Sequence, residues 1–399
     1  MILRFNSESK EWTHEARAEE NISFGFNKMK VPASSGSLPE NSHRFLLNNL
    51  NGNAGPLIGI MTAMSKKLAL SGNGPLFHAL QAEVSSRNGM VVIFPSETLA
   101  KDAITGVTYL PDQQKWIPIK TPLPHLVFNR IPFRHAEQQP AFTDAVKYLS
   151  ALGIPFFNPA FINKNKLYSL FSRHSQLRDL MPESIAIKSM IQLAAFLEKH
   201  PGLYLKPASS SKGIGIFRIR ECSGGKIEFL SHSYQHIYPS MKEFWKVKGR
   251  QLIKHEYIAQ KEISAAAIDG KRFDFRVHAH DGPEGYEVTG IGIRQSQKQD
   301  LTTHLPNGGV ILPYMNLRNE KHDQFFSWAV KQIGQLLTDE LGYFGEFSLD
   351  AGISESGEYV IYEVNSKPMS FDEPHIEQKR ITALVNLFFR KTSFNSPPL

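Results

Sequence analysis

Two short apolar stretches near the C-terminus carry hard oxygen ligands at spacings that let them meet. Residues 345–350 (GEFSLD) end on Asp350, and residues 358–365 (EYVIYEVN) carry Glu363 and Asn365, with ISESG lying before the second stretch. A hairpin turning about Ser356-Gly357 sets Asp350 opposite Glu363. Strand alternation puts Asn365 on the side of Glu363, while Tyr362 and Val364 face apolar packing. Adjacent carboxylates repel unless a cation lies between them, and oxygen ligands beside a phosphate suit Mg²⁺, with Mn²⁺ as the alternative. Taken alone, the pattern also describes a solvated acidic hairpin edge.

A second stretch, residues 205–216 (LKPASSSKGIGI), reads as strand, Ser/Gly loop and strand. It is not a Walker A loop, whose lysine sits at the far end before a helix. Here Lys206 precedes the loop, so its ammonium would reach a phosphate from the strand while backbone N–H groups from Ser209, Ser210 and Ser211 to Gly213 cover it. Gly213 and Gly215 permit the close backbone approach that this needs. An exposed hairpin loop with an incidental lysine fits the same residues.

The elements that must position these groups follow from patterning. Residues 1–54 are rich in Asn, Ser, Glu and Gly, and residues 32–39 (PASSGSLP) read as loop, so this part is an N-terminal extension. From residue 55 to about 160 a small α/β domain is expected. Residues 57–61 (LIGIM) and 90–94 (MVVIF) look like buried parallel strands, residues 75–88 have helical spacing between them, and a strand at 126–128 precedes a helix at 142–152. A second unit, 161–250, begins with helices near 166–180 and 191–200 and strands around Tyr204 and Ile216. The last, 251–390, alternates strand candidates (LIKHEYI, FDFRVHAH, EVTGIGIR, EFSLD, YVIYEVN) with a helix at 323–341.

Composition sets the outer bounds. The chain has 399 residues, 41% hydrophobic and 21% charged, enough for two or three domains with real cores. No apolar run approaches the length of a membrane span, and the first ten residues lack a signal-peptide core, which makes the cytosol the expected location. One cysteine, Cys222, rules out an intrachain disulfide. The net charge of +7 suits an acidic partner such as a nucleotide, yet Lys and Arg are scattered with no basic stripe, which argues against nucleic acid.

Taken in order, these motifs resemble the ATP-grasp superfamily, and within it the YheC/YheD group of endospore coat-associated proteins. The resemblance runs from about Gly55 to the C-terminus. It rests on Asn163-Lys164-Asn165-Lys166, Lys206-Pro207 with its loop, a hinge at residues 252–258, Phe273-Asp274-Phe275-Arg276, Arg294, Asn307-Gly308-Gly309, and the Asp350, Glu363, Asn365 set. It implies an α+β ATP-grasp fold, with a Rossmann-like pre-ATP-grasp domain followed by two ATP-grasp subdomains.

It also implies roles. Lys166 and Lys206 would neutralise the α- and β-phosphates, and the backbone of Glu256 and Ile258 would read adenine. Glu262 would take the ribose hydroxyls. Arg276 and Arg294 would hold the γ-phosphate and an acyl phosphate made from it. Two departures stand out: His255-Glu256 where relatives often carry Gln-Gln or Gln-Glu, and His304 where Asn is common.

The function implied is an ATP-dependent carboxylate–amine ligase connected with sporulation, with ATP and unidentified carboxylate and amine substrates as its ligands. The alternative is a spore-coat scaffold that binds nucleotide without turnover and assembles with other coat proteins. A small-molecule kinase on the same fold is a third reading.

Overall fold

The computed structural model describes residues 1–16, 20–34, 41–64, 70–209, 215–297 and 308–394. The described part of the first 55 residues, expected as an N-terminal extension, is built of short strands. They build a three-stranded sheet (Ile2–Asn6, Trp12–His14, Ser42–Leu46) and a four-stranded one (Ile22–Phe24, Met29–Val31, Asn48–Leu50, Asn53–Gly55). Trp12 lies between them, with ring centroids 5.1, 4.8 and 5.4 Å from Phe5, Phe24 and Phe45. These strands are mostly three residues long and broken by turn residues, so no period-2 signal accumulates.

The α/β region follows the expected pattern. Leu57–Met64 pairs in parallel with Met90–Pro95 on one side and Leu126–Asn129 on the other. Helix Gly74–Ser86 connects the first two, and helix Pro140–Ala151 leads from the third to a short parallel strand, Phe156–Phe157. A hairpin of Ala103–Leu110 and Lys115–Pro122, absent from the sequence reading, extends the sheet. The last helix, Pro374–Thr392, returns to pack Leu384, Val385, Leu387 and Phe388 against Ile58, Ile60 and Phe128 of this sheet.

Two antiparallel sheets complete the molecule. The first runs Ser184–Ala186, Tyr257–Lys261, Gly202–Pro207, Phe217–Cys222, Lys226–Leu230, Gln235–Tyr238. Helices Met190–Lys199 and Met241–Lys254 share a core with this sheet: Leu193, Phe196, Phe244 and Leu252 pack with Leu203, Leu205 and Ile219. The second runs Val310–Leu312, Gly285–Gln295, Lys271–Gly282, Glu346–Ile353, Tyr359–Asn365. Helix Glu320–Leu341 packs Phe326, Val330 and Ile333 in one core with Phe275, Val277, Leu349 and Ile361. Strand alternation turns Asp274, Arg276, Ser348 and Asp350 to the other face.

Residues 252–258, expected as one strand-like hinge, are the end of a helix through Lys254 and the start of a strand at Tyr257. Apolar residues at Leu252, Tyr257 and Ile258 gave no period long enough to separate the two. The crossing between sheets comes later: the chain leaves the first sheet after Lys261 and joins the second at Ala267. No helix among the described residues is long and apolar enough to cross a membrane.

Candidate functional site

The C-terminal hairpin brings its three oxygen ligands together. Asp350 lies opposite Glu363 and Ser348 opposite Asn365. Asn365 Nδ2 donates to Asp350 Oδ2 at 3.2 Å. The register has an origin that strand alternation does not contain. The turn closes with Ser354 N–H on Glu358 C=O at 2.8 Å and Gly357 N–H on Ser354 C=O at 2.9 Å, so it centres on Ser356. Next to it Ala351 faces Ile361. Continued in that register, Asp350 would face Tyr362.

A β-bulge takes up Tyr362 and shifts the ladder by one residue, which delivers Glu363 to Asp350. The bulge also corrects Tyr362 itself. Expected in apolar packing on the far side, it borders the same narrow space as Glu363 and lies 5.1 Å beneath the Arg272 guanidinium. Arg276 lies opposite Asp350 on the next strand, so Arg276, Asp350 and Glu363 form one row across three strands. The Arg276 guanidinium sits 5.1 Å over the Phe371 ring.

Lys164, Lys206, Gln260 and Glu363 line one narrow space between the two antiparallel sheets. Lys206 Nζ donates to Gln260 Oε1 at 2.5 Å. Burial pulls the Lys206 ammonium down to about 8, against the attraction of Glu363. Lys164 Nζ reaches Glu363 Oε1 at 2.8 Å.

Lys166, expected at the phosphates, is exposed and outside this lining. Both lysines belong to helix Lys164–Arg173, and two residues are about 200° of helical rotation. Asn163 caps the helix, accepting from Asn165 N–H and Lys166 N–H at 2.9 and 3.3 Å, which makes Lys164 the first helical residue. A side chain there leans back past the helix N-terminus, so the cap is the sequence signal for which lysine faces Glu363.

The remaining expected residues fall elsewhere. Ser209 is exposed at the end of its strand, while Ser210, Ser211, Gly213, His304 and Asn307 lie outside the described residues. Glu256 N–H bonds Ile253 C=O and its own C=O takes Ala208 N–H, both at 3.1 Å, so its backbone serves the fold. Ile258 sits mid-sheet, opposite Lys206 on one side and Ala186 on the other. Neither forms a hinge.

Glu262 takes Arg220 with both oxygens at 2.8 Å, and it stands so close to Gly202 that a Cβ there would lie 2.0 Å from its Oε2. Arg294 grips Glu373 with both arms, at 2.6 and 2.9 Å, and is buried. Patterning missed Arg272, which binds Asp274 at 3.2 Å and Tyr204 Oη at 3.3 Å and so ties the two sheets together.

The donor set fits a divalent cation. It has two carboxylates on adjacent strands and one amide oxygen, and a cation bound there would share Glu363 with the Lys164 ammonium. A second group of ligand type, His278, His280 and Glu346, lies within 4.8 Å but does not fit one. Glu346 already accepts from Arg130 at 3.0 Å and from Arg380 at 2.9 Å, and two guanidinium charges oppose a cation.

Residues 153–392, more than half of the chain, match the family described as YheC/D like ATP-grasp. The chain is 26% identical over 353 residues to the endospore coat-associated protein YheD of Bacillus subtilis (strain 168), covering 83% of this chain and 77% of that one. Two solved structures share the fold, each covering 85% of this chain and 99% of its own at a TM-score of 0.50. They are D-alanyl-alanine synthetase A from Vibrio cholerae O1 biovar eltor str. N16961, 11% identical, and VanG D-Ala:D-Ser ligase from Enterococcus faecalis, 13% identical. The chain belongs to the YheC/D-like ATP-grasp family.

Proposed function

We propose that the protein is an ATP-dependent ligase that joins a carboxylate to an amine through an acyl phosphate. The observation that carries this is the row Arg276, Asp350, Glu363 with Lys164 and Lys206 facing it. Such a set neutralises and positions phosphates and contains no protein nucleophile, as phosphoryl transfer requires.

The substrate carboxylate oxygen bonds to the γ-phosphorus as the bond to ADP breaks. The amine nitrogen then bonds to the acyl carbon, and phosphate leaves with the electron pair. Lys164 and Lys206 hold nucleotide phosphates, and Arg276 holds the group in transfer. Asp350, Glu363 and Asn365 hold Mg²⁺ or Mn²⁺, which supplies charge neutralisation at the phosphate oxygens when bound. Adenine is read by backbone where the chain leaves the ladder after Lys261. Glu262 and Arg294, each gripped in an ion pair, support these elements.

The substrates belong to spore-coat formation on this reading, by analogy with the coat-associated relatives. Those relatives also favour a second reading, a coat scaffold that binds nucleotide without turnover. ADP release by purified protein offered mixed amino acids and peptides separates the two. Turnover that Glu363→Ala abolishes is the expected result. Absence of both turnover and a Mg·ATP-dependent rise in Tm would overturn the ligase reading.

A further inference from the structure

We infer that Arg134, on a loop of the N-terminal α/β region, anchors the carboxylate-bearing substrate by presenting its guanidinium fork at the rim of the cleft that holds Glu363. The inference rests on the ligase reading and names the group that would receive one of its substrates.

The loop leaves the carboxyl end of Leu126–Asn129, a strand paired in parallel on both sides. In open α/β sheets ligands collect at such ends. Glu137 pins the loop. Its Oε1 accepts from Asn129 Nδ2 at 3.0 Å and from Lys367 Nζ, and its Oε2 accepts from Phe161 N–H at 2.9 Å. Lys367 stands two residues past Asn365, and Phe161 three residues before Lys164. One carboxylate therefore ties the Arg134 loop to the strand that ends in Asn365 and to the segment that delivers Lys164.

Arg134 lies within the fields of the Glu363 and Glu137 carboxylates but hydrogen-bonds a backbone carbonyl. Its Nη2 donates to Ile162 C=O at 3.0 Å, and its guanidinium lies 4.8 Å over the Phe161 ring. Ile162 borders the same space as Lys164, Lys206 and Glu363. The field of Glu363 acts on the Arg134 charge, opposing the cost of burial.

The contrast with other arginines matters. Arg220, Arg294 and Arg380 each grip a carboxylate of the protein with both arms, whereas the bond Arg134 makes is to a neutral carbonyl. A guanidinium has five N–H groups in a planar fork that matches a carboxylate. The Phe161 ring 4.8 Å beneath the guanidinium holds it in place. The anion served is a carboxylate delivered from the N-terminal side, close to the γ-phosphorus held beside Glu363.

The test is ligand-induced thermal shift, read with Mg·AMP-PNP alone and with Mg·AMP-PNP plus free amino acids or short peptides, on wild type, Arg134→Gln and Arg134→Lys. Arg134→Gln is expected to keep the nucleotide response within about twofold in Kd and to weaken the carboxylate-dependent increment about tenfold or more. Arg134→Lys is expected to restore part of that increment, since it keeps the charge without the fork. A loss of about tenfold in Mg·AMP-PNP affinity on Arg134→Gln would make Arg134 a phosphate ligand and overturn the assignment. So would an increment unchanged by the substitution, or no carboxylate increment in wild type. Failure of wild type to bind Mg·AMP-PNP strikes the ligase reading instead, and the amino acids and peptides offered without nucleotide then decide the fate of Arg134.

Discussion

Lys164 and Lys166 show how much one residue's direction decides. Both are cations at a helix start beside a phosphate-type strand, and one is drawn onto Glu363 while the other faces solvent. Replacing Lys164 leaves Glu363 without its ammonium and, on the ligase reading, removes a charge-assisted contact to nucleotide. Lys164→Ala is therefore expected to weaken Mg·ATP binding roughly 30-fold or more, and Lys166→Ala to change it less than about twofold. Isothermal titration of both variants checks this; equal losses would place the working lysine at Lys166 after all.

Among the elements, the strand Gly285–Gln295 lends its backbone to a buried ion pair. A Cβ at Gly292 would lie 2.2 Å from Glu373 Oε1 and 2.9 Å from Arg294 Nη1, so the pair exists because this position has no side chain. Gly292→Ala must push Glu373 off Arg294 and leave a buried guanidinium short of its partner. It is expected to destabilise the protein by about 2–4 kcal/mol, read as a lower urea midpoint. A midpoint unchanged by the substitution would show that the carboxylate moves aside at no cost. The bulge at Tyr362 works at the same scale: one extra residue in Tyr359–Asn365 selects which side chain meets Asp350.

For the molecule as a whole, Glu346 is the joint. It binds Arg130 of the α/β region and Arg380 of the last helix, and His278 lies 3.2 Å from its Oε2. A second buried histidine, His125, accepts Leu57 N–H on Nδ1 at 3.0 Å. Burial lowers both rings from the ordinary 6.5 to about 4. Between those values the unfolded chain binds protons that the folded one refuses, so stability rises with pH across the window. It is complete above about 6.5 and is lost as the pH falls toward 4, by roughly 3 kcal/mol per histidine. Urea unfolding near neutral pH and near pH 4 measures this. A flat profile, or the same slope in a His125→Asn, His278→Asn double variant, would count against it.

Local pattern determined a good deal of this protein. The runs 57–61 and 90–94, the helices at 75–88 and 323–341, and the strands ending in Asp350 and Asn365 were legible because hydrogen-bonding periodicity acts over a few residues. The order of the motifs identified the family for the same reason, since order along the chain needs no packing. What pairs with what did not follow. Arg294 finds Glu373 across 79 residues and Arg220 finds Glu262 across 42, so Arg294 and Glu262, both expected at the nucleotide, have their charges met by distant partners. The hinge expected at residues 252–258 is divided because a helix end and a strand start share one apolar run. Asp350, Glu363 and Asn365 come together as the spacing predicts, yet a bulge, not the expected turn, sets Asp350 opposite Glu363. A side chain's type is local, but its partner is chosen by contacts that close only when the sheets and the last helix have packed.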